Sequence, residues 1–165
     1  MKMDVRHELP AGIDVAWREL HTEAYIAAQR EETGAEGEIL SEETLPDGRQ
    51  LRRTRVTLGR DLPSVAANLL GAPRLSYILE ERTDDAKRQV EWKVIVDRIS
   101  NKVKAEGSFG LVPLTETTCQ RVVSGEIKVS VPLVGGRIEK GIGAELTKSY
   151  ETTAEFARKW LAENA

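Results

Sequence analysis

Cysteine is nearly missing from this 165-residue chain: Cys119 stands alone, which rules out an intrachain disulfide. Histidine is almost as scarce, and His7 and His21 with a single thiol offer no zinc-ligand spacing. Aromatic residues make up only 5%, too few for a platform that stacks bases or sugars. No segment approaches the ~18 consecutive apolar residues of a membrane-spanning helix. The opening MKMDVRHELP carries charge where a secretion signal needs an apolar run. A net charge of −3 and a pI near 5.6 supply no global attraction to nucleic acid or anionic membranes. These absences predict one cytoplasmic domain spanning residues 1–165, large enough for a real core, without cofactor or metal. They do not distinguish a monomer from a dimer.

What is present is alternation. Met3, Val5, His7 and Leu9 alternate with charged neighbours, the period of a strand with one buried face. Pro10-Ala11-Gly12 ends it, and residues 13–32 read as helix with a kink near His21-Thr22. Asp47-Gly48 then predicts a hairpin. If those two residues form the loop, Glu43 faces Arg52, Glu42 faces Arg53 and Ile39 faces Val56. That pairing also neutralises the arginine run Arg49, Arg52, Arg53, Arg55 and Arg60, which otherwise suggests nucleic acid. Pro63 and Gly71 bracket a short helix within residues 59–73, placed where a lid or entrance would sit. Residues 75–81, 89–96, 102–112 and 118–131 read as four further strands, each dry on one face and wet on the other.

The last fifty residues carry most of the fold information. Residues 134–165 form an amphipathic segment roughly 45 Å long if helical, more than a small domain needs for closure. Ile138, Ile142, Leu146, Tyr150, Ala157 and Leu161 share one face, with Lys140, Lys148, Glu151, Glu155 and Arg158 opposite. Such a helix needs a broad sheet to lie across. The predicted class is therefore α+β: a curved antiparallel sheet of about seven strands wrapped around a long C-terminal helix, with a helix pair after the first strand.

That element order resembles the helix-grip superfamily of START-related lipid-transfer domains, polyketide cyclases and pollen-allergen-like proteins (SRPBCC). The segment GEIKVSVPLVGGRIEKGIGAELTKSYETTAEFARKWL is similar to the C-terminal signature of a bacterial branch known only as a domain of unknown function. The resemblance implies the fold and an apolar space between sheet and helix. Members of the superfamily bind sterols, lipids, quinones, hormones or polyketides, or act on them, and others bind proteins. No catalytic motif is present to carry over.

Three functions follow as expectations. The leading one is a carrier or sensor of a small hydrophobic or amphipathic molecule; the others are a cofactor-independent cyclase, dehydratase or hydrolase, and an interaction module with a filled core. Strand parity and the helix face nominate His7, Tyr77, Trp92, Val94, Phe109, Arg121, Val123, Ile127, Ile138, Ile142 and Leu146 as the cavity lining. His7 is the acid–base candidate, against the alternative of a hydrogen-bonded residue at the sheet edge. Arg121 has inward parity, unless a bulge near Gly125 reverses it, and either anchors an anion or, as snorkelling favours, reaches past the core's rim. Cys119 reads as a small core residue. Glu139 falls on the helix's apolar face, either at a cavity mouth or complementing the helix dipole. Gly141 and Gly143 imply close packing or a void beneath them.

Overall fold

The computed structural model describes all residues, 1–165. Strand β1 (Lys2–Leu9) leads into helices α1 (Ile13–Glu19) and α2 (Glu23–Thr33), then β2 (Glu36–Thr44) and β3 (Gln50–Asp61). Helix α3 (Ser64–Leu70) precedes β4 (Arg74–Asp84), β5 (Gln89–Ile95), β6 (Val103–Pro113), β7 (Cys119–Val129) and the terminal helix α4 (Gly135–Asn164). The seven strands form one antiparallel sheet in the order β1-β7-β6-β5-β4-β3-β2. The helix pair is separated where Thr22 caps α2, its hydroxyl accepting from the Tyr25 N–H at 3.1 Å.

The sheet's width explains the layout. Seven strands about 4.8 Å apart span roughly 29 Å, while one helix covers about 10–12 Å. Helix α4 lies over β1 and β7, and α1, α2 and α3 cover part of what it leaves open. The core accordingly divides in two. One cluster gathers Leu62, Ala66 and Leu70 with Ile127, Ile138 and Ile142 around the N-terminal half of α4. The other packs Leu9, Trp17, Tyr25 and Cys119 against Ala157 and Leu161 near its C-terminal half.

The hairpin register differs from the two-residue reading. Glu42 faces Arg52, Ser41 faces Arg53, Ile39 faces Thr54 and Gly37 faces Val56, with a bulge at Leu40. Pro46 is the cause. Its fixed φ suits the second position of a four-residue turn, in which the Gly48 N–H donates to the Leu45 carbonyl at 2.9 Å. Gly48 alone takes a positive φ, +89°, lengthening the loop and shifting every pair. Charge neutralisation survives the shift: Arg52 pairs with Glu42 at 2.7 Å, Arg53 with Glu80 at 2.9 Å, and Arg60 with Glu145 of α4 at 2.9 Å.

Two glycines have a specific use. Gly107 and Gly125 face each other across β6 and β7, in the same row as Trp92 of β5. A Cβ on Gly125 would come within 2.5 Å of the Trp92 ring. The pair makes room for the indole to lie across two neighbouring strands, and β7 keeps its register here without a bulge. Gly143 is likewise a packing glycine, its α-carbon against the Met1 side chain and Ile127, with no void beneath it. Glu139 is neither a mouth residue nor a first-turn dipole partner. It accepts the Val129 N–H at 3.1 Å and pairs with the Met1 ammonium, fastening α4 to the end of β7.

Candidate functional site

Between the two halves of the core lies a cavity of about 620 Å³, lined by 31 residues of which 17 are hydrophobic. Rows of cross-strand partners build its sheet wall. Arg52, Glu81 and Trp92 form one row, Thr54, Leu79 and Val94 the next, and Val56 pairs with Tyr77 beyond them. Leu146, Ser149, Tyr150 and Thr153 of α4 form the facing wall, and Trp17, Leu20, Tyr25 and Ile26 of the helix pair close one side. The exposed lining residues Glu36, Glu42 and Gln50, with Gln29 and Arg30 of α2, place the opening between α2 and the β2–β3 hairpin.

Tyr77, Trp92, Val94, Phe109, Arg121 and Leu146 lie on the wall. His7, Val123, Ile127, Ile138 and Ile142 do not. They share inward parity with the lining, but they sit where α4 rests directly on β7 and β1, so helix and sheet pack without a gap. The lid assignment for residues 59–73 is also corrected: none of them lines the cavity, and Leu62, Ala66 and Leu70 are core under α4.

The polar groups are few and distinctive. Arg121 is not solvated at a rim; it is 8% exposed and its Nη2 donates to the Tyr150 carbonyl at 2.7 Å and to Thr153 Oγ1 at 3.3 Å. Its Nη2 also lies 3.5 Å from His7 Nδ1. Burial and the cations Arg121 and Arg158 hold the His7 pKa below its usual value, which favours the neutral ring. Cys119 is fully buried and its thiol is pushed up to about 11 by desolvation, an inert core group.

Glu81 is the residue the sequence reading missed. It faces into the cavity on β4, two positions beyond Leu79, and burial raises its pKa because the Arg52 and Arg30 cations act only at longer range. Tyr77, two rows away on the same strand, is buried and Tyr150 is half-buried; desolvation and the Glu81 charge both raise their hydroxyl pKa values. Tyr25 is pushed up to about 12 by burial. Inward parity with Tyr77 is the signal that marks Glu81 in the sequence, at the position where the predicted strand stops. His21, rather than His7, is the histidine on the wall, its Nδ1 2.7 Å from the Trp17 carbonyl. Nowhere do three His, Cys, Asp or Glu side chains converge to hold a metal ion, and no helix is long and apolar enough to cross a membrane.

A curved antiparallel sheet wrapped on a long C-terminal helix, with a helix pair after the first strand and a cavity between the layers, defines the class of helix-grip folds. Within that class the chain belongs to the family described as protein of unknown function (DUF2505), whose profile matches residues 4–161. Among solved structures it is similar to a protein of Thermus thermophilus, at TM-score 0.70 and 14% identity over 100% of both chains. It is also similar to the Zhui aromatase/cyclase of Streptomyces sp. R1128, at TM-score 0.65 and 12% identity over 98% of this chain and 93% of that one. A third similar structure is norcoclaurine synthase of Thalictrum flavum in complex with dopamine and hydroxybenzaldehyde, at TM-score 0.65 and 16% identity over 100% and 88%. No curated protein matches the sequence.

Proposed function

We propose that the protein encloses one small amphipathic molecule between its sheet and α4, as a carrier or sensor. The observation that supports this reading is the cavity itself. A space of about 620 Å³ falls in the usual size range of small-molecule sites, and its mixed apolar and polar wall suits a ligand with both characters. An interaction module with a filled core has no need of it. The norcoclaurine synthase structure with two small aromatic molecules is a further support, since it has the same layered fold.

One observation favours a second reading. Glu81, a carboxyl with a raised pKa on the wall of the cavity, is the kind of group that moves protons in a cofactor-independent lyase or cyclase. Native mass spectrometry of protein purified without detergent tests both. A discrete added mass, released on unfolding, is the expected result. The same added mass on wild type and Glu81→Gln supports the carrier; a different mass on the variant, meaning an unconverted substrate trapped there, supports the enzyme. A bare chain, together with failure to take up any apolar dye, would overturn enclosure.

A further inference from the structure

Arg121 is a buried cation without a counter-ion. A guanidinium has five N–H donors, and here only Nη2 bonds to the protein, through the Tyr150 carbonyl and Thr153, with His7 at the edge of reach. Nε is buried with no partner, and Nη1 has no protein acceptor. The polar and charged neighbours of Arg121 come from β1, α2 and α4. They are His7 of β1, Tyr25 of α2, and Tyr150, Thr153 and Arg158 of α4. None is a carboxylate, His7 favours its neutral form, and Arg158 adds a second positive charge. Glu81, in the same cavity, is not among the charges that act on Arg121.

A buried cation left unpaired is costly, and structures ordinarily supply a carboxylate or another anion to match it. At this position the chain supplies neither, while the side chain lies on the wall of the cavity. We propose that Arg121 is the anchor for the anionic group of the ligand, so that the cavity selects organic acids, with the apolar body along Val94, Phe109 and Leu146. This rests on the enclosure of a small molecule proposed above and names its chemical class. Glu81 then sets polarity at the other pole of the site, disfavouring a second acidic group and accepting a hydroxyl or amine of the ligand.

The test uses two fluorescent probes with the same ring system: anilinonaphthalene sulfonate and its uncharged counterpart N-phenylnaphthylamine. The folded wild type is expected to bind the sulfonate at least about tenfold more tightly than the neutral probe. Arg121→Gln should lose roughly thirtyfold or more of sulfonate affinity and stay within about twofold for the neutral probe. Arg121→Lys should recover part of the loss. Because Arg121→Gln removes a packed side chain, a second measurement is independent of it: the Arg121 Nε–H signal in nitrogen NMR of the wild type should move on adding sulfonate and not on adding the neutral probe. Uptake of both probes with no preference for the anion, or a preference that Arg121→Gln leaves intact, would overturn the acid anchor alone. Uptake of neither probe would overturn enclosure and the anchor with it.

Discussion

At the scale of a single residue, Glu81 couples stability to pH. Its carboxyl is harder to ionise in the folded cavity than in the unfolded chain, because burial removes hydration that Arg52 and Arg30 do not replace. A raised folded pKa means the native state holds its proton more tightly. The stabilisation is therefore complete below the unfolded value near 4.5 and is lost as pH rises through the higher folded value. Glu81→Gln should melt like wild type at acid pH and progressively above it as the pH is raised towards neutral. Thermal melts across that range check the sign; a gain largest in acid would contradict it. The outer-face carboxylate next in sequence behaves in the opposite way: Glu80 sits between Arg53 and Arg82, and hydrogen bonds from both hold its pKa down. Neighbours in sequence on opposite faces of one strand thus meet opposite electrostatics.

At the scale of elements, the sheet wall of the cavity depends on small residues behind a large one. Gly107 and Gly125 face each other so that Trp92 can lie flat across β6 and β7. Gly125→Ala places a methyl against the indole and the Glu106 carbonyl, and should destabilise the protein by about 1–3 kcal/mol in urea unfolding. Shrinking the ring with Trp92→Phe should recover part of that cost, so the double variant should be less unstable than the sum of the singles. Additivity would mean that the glycines serve the backbone rather than the ring. Helix α4 divides its labour along its length: its N-terminal half seals the core through Ile138 and Ile142, and its middle turns towards the cavity at Leu146, Ser149, Tyr150 and Thr153.

Over the whole molecule, the hollow follows from area. One long helix and three short ones cannot cover a seven-stranded sheet completely, and the uncovered region lies over β3, β4 and β5. Leu79 is half-buried on that wall. Leu79→Trp should occupy the space, stabilise the free protein by about 1 kcal/mol, and abolish uptake of N-phenylnaphthylamine. A variant that is stabilised yet still takes up the probe would place the binding space elsewhere. Much of this architecture is legible in the sequence, because period-2 and period-3.6 patterns report which face of each element is dry, and the order of elements then leaves few topologies. Hence the strands, the split helix after β1, the length of α4 and the inward aspect of Tyr77, Trp92, Phe109 and Arg121 can all be read from residues alone. The same patterns cannot separate Leu146 on the cavity wall from Ile142 in solid core, since both are apolar on one helix face. Only the tertiary structure decides that, because a cavity is the distance between two dry faces and depends on where α4 leaves the sheet. It also decides that Arg121 ends against α4 instead of in solvent, and that Pro46 shifts the hairpin register by lengthening its turn.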